Sequence, residues 1–118
     1  LSLSVNTKTY NPDSYRADSV RYVGPLNTVS VKDAVVLGRT APKPTTEFSG
    51  VGRTLAKLTR TLPLTGALTP SAEGIVEISA QIPVGAAAAD VDALAADMGA
   101  WIASTQGKAL LKSLLVNQ

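Results

Sequence analysis

Strands first and helices last is the order this sequence predicts, and that order defines an α+β fold. It comprises an N-terminal β-hairpin, an antiparallel sheet of about five further strands and two C-terminal α-helices. Three observations carry the expectation. Apolar and polar residues alternate in short segments as far as Pro83, the apolar spacing turns helical from Ala86 onward, and Pro- and Gly-rich connections separate the segments. A sheet of this kind covers one parity with helices and leaves the other open and polar.

In chain order, "LSLSV" alternates, "NT" can turn and "KTY" continues, so Leu1 to about Tyr10 reads as a hairpin. "NPDSYRAD" reads as a turn-rich connection, and "SVRYVG" as a short strand stopped by Gly24 and Pro25. "NTVSVKDAVVLGRT" reads as a longer strand with Val29, Val31, Val35 and Leu37 on one parity and Ser30 and Lys32 on the other. Asp33 interrupts its apolar row. Pro42 and Pro44 make "APKPTTEFSG" a stiff, extended surface loop. "GVGRTLAKLTRTLPL" holds a strand of roughly ten residues ending at Leu62. After the loop "PLTGALTPSA", the last strand, "EGIVEISAQIP", places Val76, Ile78, Ala80 and Ile82 on one face and Glu73, Glu77, Ser79 and Gln81 on the other.

Val91, Leu94, Met98, Trp101 and Ile102 recur at helical spacing, which makes "AAAADVDALAADMGAWIA" an amphipathic helix with Asp90 and Asp92 near its positive end. Ser104 or Thr105 caps a second helix, "QGKALLKSLLV", flanked by Leu110, Leu111, Leu114 and Leu115. Val91, Leu94, Met98, Trp101, Ile102 and Leu111 are the expected core or subunit-interface residues of the helices. The expected organisation is one domain over 1–118, with the hairpin at 1–10, the sheet at 18–83 and the helices at 86–116.

Composition narrows the function. The chain has 118 residues and is 45% apolar, yet only five residues are aromatic, so its core rests on Val, Leu, Ile and Ala. These bury less area than aromatics, and a lone copy is thinly stabilised, which points to self-association. Without cysteine or histidine the chain has no disulfide, no ordinary zinc ligands and no imidazole base, and a serine triad cannot be assembled. No spacing singles out an acid and base pair, so the chain is not read as an enzyme and no cofactor or metal is expected. "SGVGRT" lacks the Gly-Lys-Ser/Thr ending of a phosphate loop. No apolar run approaches the roughly 20 residues of a spanning helix, and the start lacks signal-peptide blocks, so a soluble protein made in a cytosol is expected.

Charge is uneven. Residues 1–62 hold nine basic and four acidic side chains, residues 63–118 two and five, so the front half is +5 and the back half −3. A basic half suits a polyanion. On the open parity of the central strands the sequence places Ser30, Lys32, Arg53, Lys57, Thr59 and Thr61, cations with interleaved hydroxyls that fit phosphate oxygens and base edges. Leu55 falls in this row and Arg60 on the opposite parity, so a bulge in the strand would exchange some of these positions.

The hairpin "LSLSVNTKTY", the long strands "TVSVKDAVVLGRTAPKP" and "GVGRTLAKLTRTL", and the ending "VEISAQIPVGAAAADVDALAADMGAWIASTQGKALLKSLL" together resemble the coat proteins of single-stranded RNA bacteriophages, the levivirus type. The "APKP" loop is similar to that of the divergent, non-enterobacterial members. The resemblance implies an intertwined homodimer with one continuous sheet, crossed helices and a quasi-equivalent icosahedral shell in the virion, made in a bacterial host. It implies single-stranded genomic RNA on the open sheet face, including a stem-loop whose binding represses replicase translation. Ser30 and Lys32 would lie on one strand of that surface, and Arg53, Lys57, Thr59 and Thr61 on the other. The loop around the symmetry axes would be Pro63 to Ala72, with Pro63, Gly66 and Pro70 in it. The alternatives are a dimeric nucleic-acid-binding regulator that never assembles, and an enzyme acting through carboxylates.

Overall fold

Asn6 and Thr7, both at positive φ (49° and 67°), turn the chain between the first two strands, β1 (Leu3–Val5) and β2 (Lys8–Tyr15). Two successive positive φ values are the mark of a tight hairpin turn, and asparagine tolerates that conformation well. The computed structural model describes residues 2–47, 50–66 and 68–117. Leu1 of the expected hairpin and Ala67 of the expected symmetry-axis loop lie outside the described residues. The chain divides into two units, one ending at Val84 and one running from Gly85.

The first unit continues with β3 (Ser19–Val23), β4 (Asp33–Thr40), β5 (Val51–Pro63) and β6 (Ser71–Pro83). All neighbours are antiparallel, and the order in the sheet is the order in the chain. Among the described residues four strands follow the hairpin, where about five were expected. "NPDSY" is not the expected connection. It extends β2, pairing Asn11 with Val23 and Tyr15 with Val20, and the register shifts between Pro12 and Ser14. A proline has no N–H to give a ladder, and a bulge is where a strand accommodates one.

The expected strand over 27–40 is shorter by its first six residues. Val29, Ser30, Val31 and Lys32 lie in a loop before β4. The polar residues there bind their own backbone. Val31 N–H donates to Thr28 Oγ1 at 3.0 Å, Asp33 N–H to Asn27 Oδ1 at 3.2 Å, and Thr28 N–H to the Val31 carbonyl at 2.7 Å. Such local bonds compete with a ladder, and here they prevail over the valine alternation.

β5 and β6 pair without interruption from Val51↔Pro83 to Pro63↔Ser71. Leu64 N–H closes the loop on the Pro70 carbonyl at 2.8 Å, and Gly66 within it takes φ 72°. Pro63, expected in that loop, is the last residue of β5. Among the described residues the buried apolar core of the chain is small: Tyr10, Ala34 and Val35.

In the second unit α1 (Ala88–Ala103) and α2 (Thr105–Ser113) meet at Ser104, which closes one and caps the other. Gly107 N–H donates to Ser104 Oγ at 3.2 Å, and Ser104 Oγ donates to the Trp101 carbonyl at 2.5 Å. A Cβ at Gly107 would stand 2.8 Å from Ile102 Cα, so only glycine allows α2 to start this close to α1. Leu114 ends α2 in the left-handed region at φ 56°, which leaves Leu114 and Leu115 beyond the helix they were expected to flank. Leu94, Met98, Trp101 and Leu111 are exposed, and Val91 and Ile102 are half-buried. Neither helix is long and apolar enough to cross a membrane.

Candidate nucleic-acid interface

Antiparallel partners share a face, so the registers sort every strand residue to one side of the sheet or the other. One side carries Tyr22, Val20, Val35, Leu37, Leu58, Ala56, Val76 and Ile78. Asp33 and Arg60 are directly opposite on this same side, which explains the acid that broke the apolar row and the arginine on the apolar parity. Tyr10 joins them from β2. Its hydroxyl donates to Asp33 Oδ1 at 2.9 Å, while Arg60 donates from Nη2 to the Tyr10 oxygen at 2.9 Å and from Nε to Asp33 Oδ1 at 3.3 Å.

Tyr10 and Asp33 are fully buried, so the cluster pins the hairpin to the sheet centre. Burial raises the Tyr10 pKa first, the Asp33 acceptor adds to the rise, and Arg60 opposes it. Arg60 is held more firmly protonated, chiefly by its bond to Tyr10. A Cβ at Gly24 would stand 2.5 Å from the Tyr10 ring and 2.6 Å from Asp33 Oδ2, so the chain must pass this cluster as glycine.

The opposite side holds the candidate site. β5 runs through it in unbroken register and presents Arg53, Leu55, Lys57, Thr59 and Thr61 together. Rows cross the sheet here: Ser14, Arg21, Val36, Lys57 and Glu77 form one, Ser19, Gly38, Leu55 and Ser79 the next, and Thr40, Arg53 and Gln81 a third. Of the six expected contact residues, four therefore share the face. Ser30 does not: it lies in the β3–β4 loop, exposed and outside any ladder. Lys32 is also in that loop but is returned to the end of the row. Its N–H donates to Thr61 Oγ1 at 2.9 Å, and its carbonyl accepts from Thr61 N–H at 2.9 Å.

Several cations of this face carry counter-ions. Lys32 Nζ lies 2.9 Å from Glu73, Lys57 Nζ 3.8 Å from Glu77, and Arg21 Nη1 2.5 Å from Asp13. Arg21 escaped the sequence reading although it alternates with Val20 and Tyr22 and so had to face away from them. Arg16, in the turn between β2 and β3, also escaped it. Among the described residues neither Arg16 nor Arg53 has an ion-pair partner. What such a surface can do chemically is hold phosphate oxygens with cations and hydroxyls.

No protein-family model matches the sequence, and no curated protein does. Solved structures match in fold. The virus-like particle of Beihai levi-like virus 32 aligns at a TM-score of 0.82 and 16% identity, covering 97% of this chain and 92% of that one. The virus-like particle of bacteriophage AVE019 aligns at 0.73 and 14%, covering 100% and 96%. The coat protein of bacteriophage EMS014 aligns at 0.52 and 19%, covering 80% and 62%. Six antiparallel strands followed by two helices are thus the levivirus-type coat-protein fold, and this chain has it.

Proposed function

We infer that the chain is the capsid protein of a single-stranded RNA bacteriophage, a structural and not a catalytic component of the virion. The observation that carries this reading is a coat fold over essentially the whole chain, combined with a sheet face that presents Arg53, Lys57, Thr59 and Thr61. Residues 1–118 act as one coat-protein domain, made in the bacterial host. Two copies form an intertwined homodimer. The free edge of β6, thirteen residues long, supplies main-chain groups for a continuous sheet, and the exposed Leu94, Met98, Trp101 and Leu111, with Val91 and Ile102, supply the apolar surface of crossed helices. Dimers build an icosahedral shell, with Pro63 at the end of β5 and Gly66 and Pro70 in the loop after it around the symmetry axes.

Genomic RNA lies against the polar sheet face, touching Arg53, Lys57, Thr59 and Thr61 on β5 and Ser30 and Lys32 in the β3–β4 loop beside it. A stem-loop bound there also represses translation. Expression of the chain alone tests the reading by electron microscopy and nuclease protection. RNA-filled particles are the expected product. Uniform dimers under all conditions, binding RNA without assembling, would instead identify a nucleic-acid-binding regulator.

A further inference from the structure

Gly38 sits in the middle of β4, where glycine costs strand stability and needs a reason. The backbone supplies none. Gly38 is not among the glycines at positive φ, and a Cβ built on it meets nothing closer than the Asp18 carbonyl at 3.8 Å and Ser19 Cβ at 3.9 Å. A side chain would be accommodated. What glycine provides instead is open space in the row Ser19, Gly38, Leu55, Ser79, flanked on the next row by Thr40 and Arg53. A shallow depression occupies that space, and Arg16 from the β2–β3 turn lines it with Arg53.

Charge is sorted to the same place. Lys32 and Glu73, Lys57 and Glu77, and Arg21 and Asp13 cancel in pairs along the rest of the face. At the depression Asp18 offsets only Arg39, at 3.4 Å, and among the described residues the guanidinium groups of Arg16 and Arg53 stay uncompensated. A phosphate arriving at Lys57 must compete with a carboxylate already in place. One arriving between Arg16 and Arg53 meets two cations with no such carboxylate to displace, beside the hydroxyls of Ser19, Thr40 and Ser79. Arginine also offers a planar fork that fits two phosphate oxygens at once.

The geometry points to the Gly38 depression as the anchoring point for the RNA backbone, with Arg16 and Arg53 as its phosphate ligands. Resting on the RNA-packaging reading above, it adds Arg16 to the contact set and concentrates the electrostatic grip at one end of β5. The remaining row positions the strand and is easily exchanged.

The test is binding of a short fluorescent oligouridylate to assembled or dimeric protein across a salt series. Deleting one phosphate ligand flattens the plot of log affinity against log salt by about 0.7 for a single strand. Arg16→Gln and Arg53→Gln each produce that flattening, and the double variant about twice as much. Lys57→Gln/Glu77→Gln, which removes a compensated pair, flattens it less. Gly38→Val keeps every charge but fills the depression, and it weakens binding several-fold. Unchanged circular dichroism and elution volume verify folding. If Arg16→Gln and Gly38→Val bind like the parent while Lys57→Gln/Glu77→Gln loses affinity, the anchor is overturned and RNA binding by the sheet stands. If the parent shows no salt-sensitive binding at all, the packaging reading itself falls.

Discussion

Arg60 donates a hydrogen bond to the hydroxyl of Tyr10, a residue fifty positions earlier, at 2.9 Å, and both bind the same oxygen of buried Asp33. Three strands are thereby joined at one carboxylate. Removing that acceptor leaves a tyrosine hydroxyl and a guanidinium without their partner. Asp33→Ala is expected to cost about 3 kcal/mol and Tyr10→Phe about 1 kcal/mol, read as shifts of the denaturant midpoint. Equal stability of all three proteins would show that the cluster holds nothing together.

Alkaline pH attacks the same cluster. Tyr10 keeps its proton above the ordinary 10.0, first because it is buried and then because Asp33 accepts from it. Folded protein therefore retains a proton that unfolded chain releases once pH passes 10.0, and stability falls as pH rises from there through the raised value. Below that window the contribution is complete. Melting temperature followed through pH 10.0 and beyond should decline more steeply for the parent than for Tyr10→Phe.

Gly107→Ala would drive a methyl group against the backbone of Ile102, and the helix junction can relieve it only by moving apart. A cost of about 1–3 kcal/mol is expected from such overpacking. Ser104→Ala, which deletes the cap on Gly107 N–H, is expected to cost about 1 kcal/mol. Thermal unfolding of the two variants reads both, with glycine the more sensitive position.

Glu77→Gln frees Lys57 from its 3.8 Å pair without touching the cation itself. Both side chains are partly exposed, so stability should move by less than about 0.5 kcal/mol. RNA binding should strengthen, and its salt dependence should steepen by about 0.7 in the logarithmic slope. A filter-binding series with the oligouridylate measures it.

Most of the architecture was legible because local pattern and tertiary structure agree. Leu55 and Arg60 interrupt the polar and apolar rows of β5, yet the strand carries no bulge, so Arg53, Lys57, Thr59 and Thr61 share the face that their parity assigns. β2 was misread because Pro12 and Asp13 resemble a turn, and only pairing with β3 keeps them extended. Val29 to Lys32 misled in the other direction, since their alternation competes with side-chain bonds from Asn27 and Thr28 that no periodicity displays. The paired state of Lys57 and the convergence of Arg16 with Arg53 depend on which residue of one strand lies beside which of another. That information resides in cross-strand register, not in spacing along the chain.

The six strands lie in the sheet in the order in which they are synthesised. Every new strand finds its neighbour already made, one short connection behind it, so the loop-closure entropy of each step is small and pairing can follow translation. The last strand out, β6, forms one edge of the sheet, and at thirteen residues it is far longer than the three-residue β1 at the other edge. The longer of the two open borders is therefore completed only once every other strand is in place, which limits premature cross-pairing between nascent chains.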